Sequence, residues 1–474
     1  MHPSEGNILK AAKQILDLEM SATTKIPPTY HNNDPQSFGF STARSRWPNI
    51  LNKVIGDTKA EYEGSTNEKK KIQGEKIVEQ VKQLIASILG NEIVEPFKNT
   101  SIPGLSSYNK TLKKIGTITW LTGPWLLCEC YLYRYLDYLY KSESEWVSFD
   151  PFESKKRGAF KASESGVKEL CLRYKELSGR LLDPKQRAQF TTEALYNLFV
   201  EFIEVSLWGN AIDLSLLANA TMEELQSHQG SKAVAEANKR VLCNDIKVAW
   251  AGLTEDPPEK RSLDIVLDNA GFEFFTDIVL SLFLLDAKIV SKITFHCKTR
   301  PWMVSDTMIK DYALFKKDIL GTFPGSQPEI EYLMNHLEAY KKAGKFCLAE
   351  SEFWTADLDY WHLPSEEDVC GSRKLYEHLR KSSLVIFKGD LNYRKLTADR
   401  MWPRNTPFRV GIGSLARSGI KILALRVCKA DVCVGLPDGK DEELCKLWKS
   451  ENHQYGELWC SAGKWAVISY SSGK

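Results

Sequence analysis

The sequence predicts an α/β fold, with a helical N-terminal domain packed on a Rossmann-like α/β/α C-terminal domain whose sheet is mostly parallel. Three observations predict it. Up to about residue 255 the apolar residues recur at helical spacings, and no stretch alternates as a strand does. After the Asp256-Pro257-Pro258 break, short β-branched or apolar runs replace them. Segments long enough for helical crossovers separate several of these runs, as parallel strands require. The expected division is a mainly helical domain over 1–255 and an α/β/α domain over 256–474.

Residues 1–26 read as a helix or a loose arm. Pro27-Pro28-Thr29-Tyr30 fits a short pattern bound by aromatic-groove modules, one that also arises often by chance. Residues 66–90 form an amphipathic helix with Ile72, Ile77, Val81, Leu84, Ile85, Ile88 and Leu89 on one stripe, and Lys69-Lys70-Lys71 on its solvated face. Trp120 to Tyr140 is again helical, as are Ala194–Val200 and Ala233–Trp250. Strands are expected at Leu263–Leu267, Ile289–Phe295, Phe346–Ala349, Leu384–Phe387 and Ile422–Arg426.

Length and composition bound the function. A chain of 474 residues is too long for one simple core. Lys plus Arg minus Asp plus Glu is 63 − 61 = +2, so no global field draws the chain to nucleic acid or acidic lipid. Any anion must be held by a local site. The 11 cysteines are scattered, odd in number and without a CxxC pair, which points to reduced thiols in the cytoplasm or nucleus. No run approaches the ~18–20 apolar residues of a membrane span. The 13 tryptophans read as packing anchors, and nothing calls for an obligate protein partner.

The chemistry concentrates where apolar runs end. Ile265 to Leu267 delivers Asp268 and Asn269 to a turn opened by Ala270-Gly271, and a helical pattern (Phe274, Ile278, Val279, Leu282) follows. Trp302–Thr307 follows the next run, Lys388–Lys395 the run at Leu384, and Arg426–Lys429 the run at Ile422. In a parallel sheet these clusters share one edge, the edge where ligands bind open α/β sheets. Asp268, Asn269 and Asp306 then make a three-point oxygen site suited to a hard cation, and the absence of Cys or His from the set argues against structural zinc. Such an ion would polarise a phosphoryl group and acidify a bound water. Lys388 and Lys429 supply positive charge, and Gly389 lets backbone approach a phosphate. Asp390 suits a sugar hydroxyl or general acid–base work. Plainer readings stand beside these: Asp-Asn before Gly as a turn signal, Ser305-Asp306 as a helix cap, Lys388-Gly389-Asp390 as a turn, Glu273 as an offset to a helix dipole, and His296 as a satisfied polar residue.

Arg46-Trp47-Pro48, Pro124-Trp125-Leu126-Leu127, Ser206-Leu207-Trp208-Gly209-Asn210 with Asp213-Leu214-Ser215, Asp268–Glu273, Ser305-Asp306-Thr307 and the ten residues Phe387–Leu396 together resemble the damage-control phosphatase family. The resemblance is to its sugar-phosphate phosphatase subfamily III, also described as acidic-residue methyltransferase-like, and runs from about Phe38 to near the C-terminus. It implies metal ligands at Asp268, Asn269 and Asp306; the residue reading above adds Asp390 to the catalytic set. It implies substrate contacts at Asp268, Asn269, Lys388, Gly389, Asp390, Leu391, Asn392 and Lys429, to which Glu273 and Arg426 are added as candidates. It further implies hydrolysis of sugar phosphates such as fructose 1-phosphate and fructose 6-phosphate with Mn²⁺, Ni²⁺ or Co²⁺, Mg²⁺ being chemically compatible, for removal of reactive, glycating phosphates. One departure stands out: the subfamily's Arg-Thr-x-Lys signature reads Arg426-Val427-Cys428-Lys429, with no hydroxyl at Val427.

Two other functions compete. An S-adenosylmethionine-dependent protein carboxyl (glutamate) O-methyltransferase would place a glycine-rich turn after the first strand, where Asp268-Asn269-Ala270-Gly271 stands, and Gly411-Ile412-Gly413 follows no strand pattern. A non-catalytic sugar-phosphate sensor would not require the oxygen-ligand set.

Overall fold

The structure, a computed structural model, describes residues 25–209, 239–323 and 325–474. Seven strands form one sheet in the order β1-β7-β6-β5-β2-β3-β4. They are β1 (Val241–Asn244), β2 (Ser262–Val266), β3 (Lys292–Cys297), β4 (Phe346–Glu350), β5 (Leu384–Lys388), β6 (Ile422–Val427) and β7 (Ala466–Ser471). β2 to β6 are mutually parallel; β7 runs antiparallel to β6, and β1 pairs parallel with β7. All five expected strands are present, within a few residues of the expected bounds.

Chain order fixes where a ligand can sit. From β2 the chain steps outward to β3 and β4, then returns to lay β5 and β6 on the other side of β2. Successive connections therefore diverge between β2 and β5, and such a switch point opens a crevice beyond the strands' C-terminal ends.

Helices cover both faces, so two cores flank the sheet. Leu263, Ile265, Leu384, Ile386 and Leu423 point into one, formed with helices Glu164–Leu182, Thr192–Trp208, Phe272–Asp286 and Gln327–Lys342. Val266, Val385, Phe387 and Ile422 point into the other, with helices Trp47–Glu63, Glu68–Leu89 and Trp125–Lys141. This alternation of faces is the two-residue period of a strand buried on both sides. The fully buried Trp47, Trp125, Trp146, Trp302, Trp354 and Trp459 are packing anchors, as expected.

Several expectations change. β1 lies where the sequence suggested only helix; a four-residue, half-exposed edge strand carries too little apolar alternation to be seen. The helix at 66–90 is present as Glu68–Leu89, but Ile72 and Leu89 are exposed while Ile77, Val81, Leu84 and Ile88 are buried. Tyr30 is buried, its amide bonded to the Asp399 carbonyl, and the Pro27 carbonyl accepts from Arg400. The Pro27–Tyr30 segment is therefore part of the fold and does not display its tyrosine to a groove-binding module. The expected arm at 1–24, and the 210–215 and 233–238 parts of the segments read above, lie outside the described residues. Among the described residues no helix is long and apolar enough to cross a membrane.

Candidate metal and phosphate site

β2 ends at Val266 and the helix Phe272–Asp286 begins six residues later, entered through Gly271 at φ +84°. Between them, Asp268 and Asn269 are held by a second segment. The Thr307 amide donates to the Asp268 carbonyl at 2.8 Å, and the Ala270 amide to the Ser305 carbonyl at 2.7 Å. Asn269 and Asp306 thus lie side by side in an antiparallel bridge. The turn before Asp306 is strained: Met303 and Val304 adopt φ +43° and +72°, a conformation that costs side-chain-bearing residues about 1–3 kcal/mol each. Buried Trp302 anchors it, its carbonyl taking the Asp306 amide. The cap reading of Ser305-Asp306 gives way, because the next helix starts at Ile309 and Asp311 accepts from the Met308 amide. Ser305 instead donates to Asn269 Oδ1 at 2.5 Å.

The third contributor crosses from β5. Gly389, at φ +82°, opens a helix against the Asp268 carboxylate so closely that a Cβ there would lie 1.9 Å from Asp268 Oδ2. Only glycine permits this approach. Asn392, one turn on, ties the crossing down: its amide donates to the carbonyls of Val266, Leu267 and Lys388, and its Oδ1 accepts from Tyr360 at 2.6 Å. Leu391 is buried in the apolar core. From β6, Arg426 Nε reaches Asp390 Oδ1 at 2.8 Å, and the Lys429 amide reaches the same oxygen at 3.0 Å. Arg426 also donates to the carbonyls of Ala430 and Val432, so its guanidinium is a buried brace for Asp390 and the 430–432 turn. Val427 points the other way, onto the opposite core, so its lack of a hydroxyl leaves the Arg426–Asp390 contact intact.

Lys388 sits lower than the sequence suggested. Its ammonium is fully buried and bonded to the Ser206 carbonyl and hydroxyl, at 2.5 and 2.8 Å, and to Asp277 at 2.8 Å, with Glu273 at 3.3 Å. Glu273 in turn accepts from Asn269, whose amide also donates to Asp268, both at 2.8 Å. Glu273 therefore links the buried lysine to the rim, beyond any effect on the helix dipole. The sequence reading missed Ser206 and Asp277 as partners of Lys388, and also Lys298. That residue directly follows β3, as the candidate clusters follow their strands. Its ammonium lies 3.1 Å from Asp306 Oδ2 and donates to the Leu267 carbonyl at 2.7 Å.

The electrostatics are those of crowded, buried carboxylates. Burial, then Glu273 and Asp306, push Asp268 well above the usual carboxylate range, against the pull of Lys298 and Lys429. Burial likewise raises Asp306, opposed chiefly by Lys298. Burial lifts Asp277 to about 6 although Lys388 opposes it. Burial works to lower Lys388, but Asp277 and Glu273 more than offset it and raise it above the usual lysine range. Asp306 Oδ2 is buried without a well-aligned hydrogen bond. A cation among Asp268, Asn269 and Asp306 would meet that oxygen and relieve the repulsion, so the donor set fits a hard divalent ion.

Two further features lie nearby. A cavity of about 240 Å³ between the helix Trp125–Lys141 and the 298–301 loop shares Lys298 with the site, but none of its acids. On β2, upstream of Asp268, Asp264 groups with His296 and His378 as a second set able to hold a metal ion. The methyltransferase alternative gains no support: the turn after β2 holds the Asp268 carboxylate packed on Gly389, where a nucleoside would need open, glycine-rich backbone.

Comparisons with known proteins identify the family of the chain as a whole. The family described as damage-control phosphatase ARMT1-like domain matches residues 42–444. Damage-control phosphatase ARMT1 of Homo sapiens is 31% identical over 464 residues, spanning 94% of this chain and 98% of its own. That of Xenopus tropicalis is 33% identical over 465 residues, spanning 92% and 97%. A solved DUF89 family protein from Pyrococcus horikoshii aligns over 90% of this chain and 96% of its own at 11% identity, with a TM-score of 0.38. The reach of the family match, and relatives above 30% identity along nearly the whole length, show that the chain belongs to the damage-control phosphatase ARMT1-like family.

Proposed function

We propose that this chain is a divalent-metal-dependent phosphatase acting on small sugar phosphates, fructose 1-phosphate and fructose 6-phosphate among them. One observation carries the reading: at the switch point between β2 and β5, Asp268 and Asp306 are both raised by burial and neighbouring acids, with Asp268 packed against the Gly389 backbone and Lys298 beside Asp306. Asp268, Asn269 and Asp306 would hold the ion. When bound, it supplies charge to phosphoryl oxygens and lowers the pKa of water.

The chain's own residues divide the remaining work. Lys429, exposed at the rim, meets the phosphate as a point charge. The Gly389 turn gives the substrate close access to backbone. Asp390 has Oδ1 committed to Arg426 and the Lys429 amide, so a sugar hydroxyl approaches Oδ2. Lys388 acts from beneath, holding Glu273 and Asp277, and through Glu273 it fixes the orientation of Asn269.

The test is phosphate release from a panel of sugar phosphates after EDTA treatment, then with Mn²⁺, Ni²⁺, Co²⁺ or Mg²⁺ restored. Asp268→Ala is expected to abolish release while the protein stays folded. Turnover indifferent to chelation removes the metal from the account, and normal turnover by the variant removes Asp268.

A further inference from the structure

Asp264 lies in the middle of β2, His296 near the end of β3, and His378 in the last turn of the helix Ser372–Leu379. Asp264 Oδ1 is 2.7 Å from Nε2 of both histidines, and the three candidate ligand atoms lie within 4.8 Å of one another. The two imidazole rings are 5.6 Å apart at 60°. Imidazoles sharing one tetrahedral ion at ~2.0–2.1 Å hold their ring centres roughly 5 Å apart, so little movement separates this arrangement from a chelate. Asp264 and His296 are buried, with the Trp354 ring 5.6 Å from His296, while His378 is about half exposed and gives solvent a way in.

The hydrogen bonding is lopsided. One oxygen faces both imidazoles, the other accepts from the Ser382 hydroxyl, and His296 Nδ1 is buried without a partner.

We infer that Asp264, His296 and His378 form a second metal site, separate from the oxygen-lined edge, that takes a borderline transition ion of the Zn²⁺ and Co²⁺ class. Two imidazoles with one carboxylate favour such ions over Mg²⁺, which prefers oxygen. The ion's place in the fold defines its role. It ties β2 and β3 to the helix that leads into β5, the three strands that deliver Asp268, Lys298 and Lys388. It is a clamp beneath the switch point, and it does not depend on the phosphatase reading.

Cobalt tests it. The full-length protein, stripped with chelator, is equilibrated with Co²⁺, and bound metal and the visible spectrum are recorded for three proteins. Wild type is expected to bind one equivalent more than His378→Gln and to show the intense visible bands of a nitrogen-ligated, low-coordinate ion, which His378→Gln lacks. Asp268→Asn/Asp306→Asn is expected to keep those bands. His378 is half exposed, and glutamine retains a hydrogen bond to Asp264, so the variant is expected to fold; its melting temperature in EDTA checks this. If His378→Gln binds as much cobalt as wild type with the same spectrum, or if the edge double variant loses the bands, the second site is overturned and the cluster is a hydrogen-bonded one only. Failure of the edge site alone would show as lost turnover with the bands intact.

Discussion

Gly389→Ala isolates the packing that makes the site. The added Cβ would stand 1.9 Å from Asp268 Oδ2 and 2.2 Å from its Cγ, whereas real Cβ contacts essentially never fall below 3.0 Å. The carboxylate must therefore recede by about 3.0 − 1.9 = 1.1 Å, or the turn after β5 must shift by as much. A displacement of about 1 Å at reacting groups costs on the order of 100-fold in rate. Alanine at φ +82° adds backbone strain of about 1–2 kcal/mol. Gly344 supplies the control, since it has φ +69° and nothing within 4 Å, so Gly344→Ala carries the strain without the collision. Both variants should lose stability in urea unfolding, Gly389→Ala the more because it adds the collision to the strain. Only Gly389→Ala should lose about two orders of magnitude in Mn²⁺-supported phosphate release from fructose 1-phosphate. If it folds and turns over like Gly344→Ala, the placement of Asp268 against Gly389 has no part in catalysis.

Three other outcomes follow from the same electrostatics. Lys388→Met leaves the buried Asp277, and Glu273 beside it, without their cation and should cost about 3–5 kcal/mol in urea unfolding, part of it recovered in Lys388→Met/Asp277→Asn; a single variant as stable as wild type would contradict the buried pairing. Asp268→Asn should abolish turnover yet raise the melting temperature in EDTA, because it removes the repulsion from Glu273 and Asp306; a lower melting temperature would show that the acids do not strain one another. Burial raises Glu204 from 4.5 to about 7, so the folded state holds a proton the unfolded chain has released, and stability falls as pH rises from 4.5 to 7. Glu204→Gln should therefore be the more stable protein at pH 8 by up to roughly (7 − 4.5) × 1.36, or about 3 kcal/mol, and show no such advantage at pH 4; equal urea midpoints at pH 8 would refute the shift.

The parallel core of the sheet was legible because its strands are buried on both faces and read as unbroken apolar runs, β5 from Leu384 to Phe387 being the plainest. β1 escaped because an edge strand of four half-exposed residues has no such signature. Asp268, Asn269 and Asp306 were legible as neighbours for a topological reason: strands running the same way must deliver their C-terminal residues to one edge. The partners of Lys388 were not. An ammonium at a strand end looks available to a phosphate, and nothing local reveals Asp277 and Glu273, one helical turn apart, converging on it with Ser206 from 182 residues away.

Strand order was the missing information, and the site depends on it. No local pattern places β5 beside β2 when β3 and β4 lie between them in the chain, because the pairing of Ile265 with Ile386 spans 121 residues. That adjacency sets Gly389 against Asp268. Had β5 been added outside β4, the same residues would end the same strands, yet Asp268 would face a different neighbour and the glycine at 389 would meet no carboxylate. The left-handed glycine at the head of the 389–396 helix is thus the local trace of a non-local event, the reversal of winding direction at β2. Its close contact with an acid links the fold of this chain to its chemistry.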